Sequence, residues 1–373
     1  MSTRRLRILH VGKFYPPHMG GMETYLQVVC RGLQHHHDVE VLVASDTPHD
    51  DISQDEGIKV VRAGTRFTLA STSFCRGMIR RIRESNADII HLHMPNPSAT
   101  LAYLIARPTA KLVITYHSDI VRQKILGRAI APVLDAALKR AAAIITTSPQ
   151  YLATSPTLQP HLDRCQVLPY GIPIESFSRV NAEGISAIRE RFGSRIVLSV
   201  GRLIYYKGFD VLIRAMKDVE GHLLIVGDGP MGAELQQLIT GQGLQNRVTL
   251  LAEVQNDEIV DYYRASDVFA LASIARSEAF GIVQLEAMAC GVPVVNTALD
   301  SGVPYVSLDG QTGLTVPPGD AAALAGALDR LLNDDDLRAK YGQAGRERVN
   351  TEFTSEVMTR RMLELYDEIT ALN

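Results

Sequence analysis

Short apolar runs recur along the chain and alternate with longer amphipathic stretches. In the first half LRILHV (6–11), VEVLVAS (39–45), IKVVRAG (58–64), DIIHLH (88–93), KLVITYH (111–117), AAIITTS (142–148) and CQVLPYG (165–171) read as strands. In the second half RIVLSVG (195–201), HLLIVGDG (222–229), VTLLAEV (248–254), VFALAS (268–273), PVVNT (293–297) and GLTVP (313–317) do the same. Strands that are apolar on both faces belong to parallel sheets covered by helices on both sides. Helical periodicity fills most gaps, as in METYLQVVCRGL (22–33) and APVLDAALKRAAA (131–143), and three helical segments close the chain near 320–333, 334–349 and 355–371.

Thirteen strands exceed one ordinary twisted sheet. The pattern therefore predicts an α/β chain of two doubly wound, Rossmann-like domains facing a central cleft. The polar stretch 175–195 is the natural linker between a domain at 1–175 and one at 190–354, with helix 355–373 able to pack back on the first. Ligands of open α/β folds bind beyond the carboxyl ends of the strands, so the useful residues should follow strands.

Composition fits this picture and narrows it. With 373 residues, 46% of them hydrophobic and 21% charged, the chain can bury a core that needs no disulfides. Its four cysteines are scattered without CxxC spacing and read as buried thiols of a reducing compartment. No signal-peptide core and no apolar run of about 18 residues appears, so a cytoplasmic protein is expected, at most resting on the inner face of a membrane. Charge is uneven: residues 1–180 hold 21 Lys and Arg against 14 Asp and Glu, a net of +7, and the remainder holds 17 against 27, a net of −10. A basic first half suits an anionic partner or an anionic membrane surface, or is a difference between two solvated surfaces.

Several polar groups stand where a ligand would be expected. The first strand leads through GKFYPPHMGGMETYL to paired glycines, Gly20 and Gly21, directly before a helix, where backbone N–H groups can meet an anion. His117 ends KLVITYH and is followed by Ser118 and Asp119; His91 and His93 alternate on one face of DIIHLH and read as packing behind the same cleft. Arg202 and Lys207 in SVGRLIYYKGFDVL flank a short loop that enters a helix, a fork and a point charge suited to clamping a diphosphate. GDGPMG (227–232) matches a dinucleotide fingerprint, with Glu253 about twenty residues on, but it follows the second strand of its domain, where a sharp turn explains the glycines equally well. In SEAFGIVQLEAMACG (277–291) Glu278 precedes a helical run, and Glu286 sits in that run's second turn among apolar, small or amide residues. No zinc spacing, Walker loop or metal-binding DxD is present, and Asp334–Asp336 read as helix-start acids. No basic-plus-aromatic signature points to nucleic acid.

Together, the paired glycines, YHSD (116–119), LPYGI (168–172), GRLIYYKG (201–208), GDGP (227–230) and SEAFGIVQLEAMACGVPVV (277–295) make the chain resemble a family-4 retaining glycosyltransferase of the GT-B fold over nearly its full length. The resemblance implies transfer of a sugar from a nucleoside diphosphate sugar without a metal or other cofactor. By position, Arg202 and Lys207 would neutralise the leaving diphosphate, and Gly20, Gly21 and Gly227 would approach the donor. Glu278 would hold its sugar hydroxyls, Glu286 its ribose, and His117 would stabilise the transition state. Phe280 and the amides of Gly281, Ile282 and Val283 would border the diphosphate. Tyr305 stands where many relatives place a glutamate. YHSDIVRQK, RSEAFG and SGVPYVS look most like bacterial enzymes that build surface polysaccharides, which favours GDP-mannose as donor with UDP-sugars next. The acceptor would be a glycan, or a glycan on a polyprenyl diphosphate, held with Asp119, Arg76, Arg80, Arg81, Arg83, Arg122, Lys124 and Arg128 as basic or polar contacts of the first half. A sugar-nucleotide epimerase and an NAD-dependent oxidoreductase are the rival readings.

Overall fold

The computed structural model describes residues 4–18, 20–69, 72–119, 124–252, 254 and 258–371. Arg122 and Glu253 lie outside them, and the side chains of Arg76, Lys124 and Arg128 are likewise not described. The chain forms two compact units, Met1–Gly171 with Ser355–Asn373, and Ile172–Thr354.

The first unit is built on strands β1 (Arg7–Val11), β2 (Asp38–Ala44), β3 (Asp51–Asp55), β4 (Ile58–Ala63), β5 (Thr65–Leu69), β6 (Thr72–Cys75), β7 (Ile89–Met94), β8 (Lys111–Tyr116), β9 (Ala143–Thr146) and β10 (Cys165–Val167). Eight of them form one sheet in the order β10-β9-β8-β7-β1-β2-β4-β3, parallel except that β3 runs against β4. The chain leaves β1 first toward β2 and later restarts at β7 on its other side, so the switch of direction falls between β1 and β7. β5 and β6 form a separate antiparallel hairpin. β7 is buried along its whole length, including His91 and His93, as a central strand covered on both faces requires.

The last helix, Ser355–Ala371, belongs to this unit and packs on helix Gly21–Leu33. The contact is close at Gly32, where an added Cβ would lie 2.1 Å from the Thr359 hydroxyl. Tyr366 on the same helix reaches His91 at 2.6 Å.

The second unit holds β11 (Ile196–Val200), β12 (His222–Val226), β13 (Val248–Leu251), β14 (Val268–Ala270), β15 (Val294–Thr297) and β16 (Gly313–Val316), all parallel in the order β13-β12-β11-β14-β15-β16. Numbered within the unit this is 3-2-1-4-5-6, the Rossmann order, with its switch point between β11 and β14. Its core joins Val197, Leu223 and Ile225 of the sheet to Leu212 and Ile213 of helix Phe209–Ala215 and to Leu328 and Leu331 of helix Ala321–Asn333.

The linker expected at 175–195 is a correction. Residues Ile174–Phe177 form a 3-10 turn and Ala182–Phe192 a helix, both within the second unit. Asn181 caps that helix by accepting from the Gly184 amide and anchors it by donating to Asp261 at 2.7 Å. The helix buries only Ile188 and Phe192, so its sequence has the polar composition of a connector.

Candidate active site

In the second unit the side chains of interest follow β11 and β14, the two strands at the switch point. The loop after β11 passes Gly201 and Arg202, turns through Tyr205–Lys207 and enters helix Phe209–Ala215. Gly208 joins turn to helix at φ +65°, and an added Cβ there would lie 2.0 Å from the Ala272 carbonyl oxygen. Only glycine lets this loop lie against the segment after β14. The Ile274 amide, donating to the Tyr206 carbonyl at 2.8 Å, fixes the same contact.

That contact brings the two charges together. Lys207 Nζ lies 2.6 Å from Glu278 Oε2, and the Ser273 hydroxyl donates to the same oxygen at 3.0 Å. Both charged side chains are nearly buried, with 12% and 10% of their surface exposed, so each is the other's main compensation for lost water. Thr297 donates to the Ser273 carbonyl, and the Gly302 amide to the Ala279 carbonyl, tying the glutamate loop to neighbouring segments. Arg202 remains exposed. Its charge is felt at the Tyr206 phenol, which burial and the Glu278 carboxylate push up and Arg202 pulls back.

The helix carrying Glu286 is Val283–Ala289, which places the glutamate in its first turn rather than its second. Gly281 precedes it at φ +75°, with Leu271 and Gln284 where a Cβ would go. Phe280 is buried, edge-on to Phe353. No side chain caps this helix start among the described residues. Glu286 is half-buried and accepts from the Tyr263 hydroxyl at 2.6 Å. Burial raises its pKa above the ordinary carboxylate value, and the Tyr263 bond and the Lys207 charge oppose that shift without cancelling it.

The GDGPMG turn has a structural explanation. A Cβ on Gly227 would lie 2.1 Å from the Gly201 carbonyl, and one on Gly229 2.6 Å from that of Leu203. Leu203 donates to the Asp228 carbonyl, and Met231 donates to that of Leu203. The glycines let this turn lie backbone to backbone on the loop after β11, which removes the main support for a dinucleotide fingerprint.

In the first unit, Gly20 precedes helix Gly21–Leu33 with extended backbone, and the helix start already faces a carboxylate: an added Cβ on Gly20 would lie 2.4 Å from Glu23 Oε2. Burial raises the Glu23 pKa. A cavity of about 200 Å³ beside the loop after β1 is lined by Lys13, Phe14, Ser45, Asp46, Thr65 and Ser73, with Thr68.

His117 follows β8 and is buried with both ring nitrogens engaged, Nε2 with His93 at 3.1 Å and Nδ1 with the Tyr170 hydroxyl. His91 and His93 lie in the core behind it, as packing groups. Asp119 Oδ1 accepts from Tyr116 and Ser155, each at 2.9 Å, so it anchors the loop after β8. Arg80 pairs with Glu84 at 3.4 Å and Arg81 with Asp50 at 2.6 Å, while Arg83 is exposed.

The sequence reading missed the partners that hold these groups. Ser273, Tyr263 and Tyr170 meet their glutamates and histidine only through the fold. His10 had a signal, since β1 was expected beside other strands and DIIHLH already showed histidines alternating on one face.

The comparisons with known proteins agree across the full length. Residues 20–171 match the glycosyl transferase 4-like domain and 184–348 the glycosyl transferases group 1 family. The D-rhamnosyltransferase WbpZ of Pseudomonas aeruginosa is 32% identical over 358 residues, covering 94% of this chain and 93% of that protein. The chain belongs to the group 1, family-4-like glycosyltransferases. This GT-B glycosyltransferase is also 30% identical over 365 residues to the O-antigen chain mannosyltransferase C of Escherichia coli, covering 97% of this chain and 98% of that one. Among solved structures, a sucrose-phosphate synthase from Thermosynechococcus elongatus matches with a TM-score of 0.83 at 26% identity, covering 99% of this chain and all of that one. The fold is also that of the Anabaena protein HepE, solved in complex with UDP-glucose, which matches with a TM-score of 0.79 at 22% identity, covering 98% of this chain and all of that one. Among its described residues no helix is long and apolar enough to cross a membrane.

Proposed function

We propose that this glycosyltransferase moves a hexose from a nucleoside diphosphate sugar, with retention at the anomeric carbon, onto a glycan or polyprenyl diphosphate-linked glycan in polysaccharide synthesis. The observation that carries the reading is the Lys207–Glu278 pair at the β11/β14 switch point, 2.6 Å apart, beside the exposed Arg202. Open α/β sheets bind ligands there. On this reading Lys207 and Arg202 take the charge of the departing diphosphate, work that a metal ion does elsewhere, so no metal or other cofactor is required. Glu278 accepts from the donor sugar's hydroxyls, and Glu286 from the ribose. Phe280 with the Gly281, Ile282 and Val283 amides borders the phosphates, and Gly227 borders the base. Gly20, Gly21 and His117 are assigned to the donor on the resemblance alone.

GDP-mannose is the preferred donor, supported by the mannosyltransferase and rhamnosyltransferase descriptions of the similar proteins. A UDP-sugar is the second choice. The acceptor belongs to the first unit, near the cavity beside the loop after β1 and the basic residues Arg80, Arg81 and Arg83. Arg122, Lys124 and Arg128 are further acceptor candidates by sequence alone, since Arg122 lies outside the described residues and the side chains of the other two are not described. The protein works on the cytoplasmic side, peripheral to an anionic membrane, and binds no nucleic acid.

A donor panel tests the reading. GDP-, UDP- and ADP-sugars are added in the presence of a chelator, and melting temperature and release of nucleoside diphosphate are followed. A GDP-sugar should stabilise the protein and be turned over without metal. Stabilisation by no member of the panel would overturn the proposal, and isomerised donor without transfer would point to an epimerase.

A further inference from the structure

Behind His117 runs a chain of imidazoles that no role assigned so far uses. His10 Nδ1 lies 3.0 Å from His93 Nε2, His93 Nδ1 lies 3.1 Å from His117 Nε2, and His117 Nδ1 meets the Tyr170 hydroxyl. The rings are close to parallel, 28° between His10 and His93 and 20° between His93 and His117. All three are fully buried or nearly so. His91 is stacked on His93 with ring centroids 4.7 Å apart but stands outside the chain, since Tyr366 and Thr115 take its two nitrogens.

A neutral imidazole offers one N–H and one lone pair. Burial lowers the pKa of every ring here, to about 3 for His10 and His117, so each is neutral. A neutral chain has only two registers, because each nitrogen-to-nitrogen link needs one proton and His93 serves two links. In one, Tyr170 donates into His117, every ring is protonated at Nε2, and the series ends in a bare N–H on His10. In the other, every ring is protonated at Nδ1, His117 donates to Tyr170, and the series ends in a bare lone pair. His10 Nε2 is fully buried and has no partner among the described residues. An unmatched buried N–H is rarer and more costly than an unmatched acceptor, so the second register prevails.

The same donor set argues against a metal. His10, His91 and His93 present nitrogens within 4.8 Å of one another. A metal ligand needs a free ring nitrogen, and both nitrogens of His91 and of His93 are already engaged, by Tyr366 and Thr115 and by His10 and His117. An ion would also displace the bonds that hold His91 and His93.

We infer that His10 and His93 are positioning residues that lock the His117 ring in one orientation and in the Nδ1–H tautomer. With both nitrogens engaged, His117 presents a fixed neutral ring at the end of β8 rather than a titrating base. The inference rests on the reading that His117 borders the donor sugar.

Histidine labelled with nitrogen-15 in the full chain tests it by NMR, through two-bond couplings that identify which ring nitrogen carries the proton. His10, His93 and His117 should all show Nδ1–H and a bare Nε2. His93→Phe should release His117 to Nε2–H or a mixture. His93→Asn keeps a donor near the Nδ1 position and should hold His117 as in the parent. With the donor found by the panel, His93→Phe should lower kcat by roughly tenfold to a hundredfold, the scale of a small misplacement at a reacting centre. Donor KM should stay within a factor of about three, and His93→Asn should restore much of the rate. An Nε2–H tautomer at His117 in the parent, no change in His93→Phe, or stoichiometric zinc in the purified protein would overturn the inference. Unchanged kcat with an altered tautomer would overturn its link to catalysis. The NMR arm needs no substrate, so its result stands apart from any failure of the transferase reading.

Discussion

Removing Lys207 strands a carboxylate. Glu278 would keep only the Ser273 hydroxyl, and a nearly buried charge without its partner typically costs about 3–5 kcal/mol. Lys207→Ala should therefore lower unfolding free energy in urea by about that amount as well as weaken donor binding. The double variant Lys207→Ala/Glu278→Ala should be more stable than the single one, because the stranded charge has gone. Glu278→Ala alone should lower turnover by roughly a hundredfold to a thousandfold, the loss typical of one charge-stabilising contact. Equal stability of the single and double variants would show that the pair is not coupled.

Glu286 answers to pH. Its pKa is raised above the free value of 4.5 by burial, with the Tyr263 hydroxyl bond holding it down. On the proposed reading Glu286 accepts from ribose hydroxyls in its ionised form, so donor affinity should fall as pH drops toward 4.5 from above. Tyr263→Phe removes a bond that favours the ionised form, so the fall should begin at a higher pH than in the parent. Donor-induced melting shifts measured across pH 4.5 to 8 check the direction; a fall displaced to lower pH in Tyr263→Phe would refute it. The glutamates and cations were legible in the sequence because their spacing is local. Tyr263 and Ser273 were not, because helix packing and strand order choose them.

Elements were legible where burial is two-sided. β7, β11 and β12 came straight from short runs dominated by Ile, Leu and Val. β3, β5 and β6 did not, since DISQD, TRFTL and TSFC are short and polar, and none has the all-apolar run of a strand inside the parallel sheet. Helix Ala182–Phe192 was hidden for the same reason. At Gly281 the sequence suggested a helix start but not why glycine stands there. With φ at +75° and Leu271 2.7 Å from an added Cβ, Gly281→Ala should cost about 1–3 kcal/mol and unsettle the loop that carries Glu278. Thermal unfolding reads the cost, and no loss of stability would mean that the turn relaxes freely. Gly32→Val should be costly in the same assay, because a branched side chain would push Thr359 and the last helix off helix Gly21–Leu33.

For the whole molecule the charge division is the feature that element packing leaves unexplained: +7 in residues 1–180 against −10 in the rest. Helix Arg76–Glu84 concentrates the excess, with Arg80 and Arg83 exposed, and the hairpin that leads into it exposes Phe67. The Arg80–Glu84 pair is itself exposed, so it contributes little and leaves the arginine free to exchange partners. An acceptor on a polyprenyl diphosphate would keep the enzyme at an anionic bilayer, where each basic side chain near the surface contributes about 1 kcal/mol. The protein should therefore co-sediment with vesicles containing an anionic phospholipid and not with zwitterionic ones, and should come off as added salt shortens the screening length to a few ångströms. Arg80→Ala/Arg83→Ala should weaken vesicle binding by roughly thirtyfold, the product of two such contributions, while leaving nucleoside diphosphate release from a soluble donor unchanged. Binding that ignores salt, or that survives the double substitution, would place the membrane contact elsewhere on the chain and reduce the first unit's charge to a solvated surface.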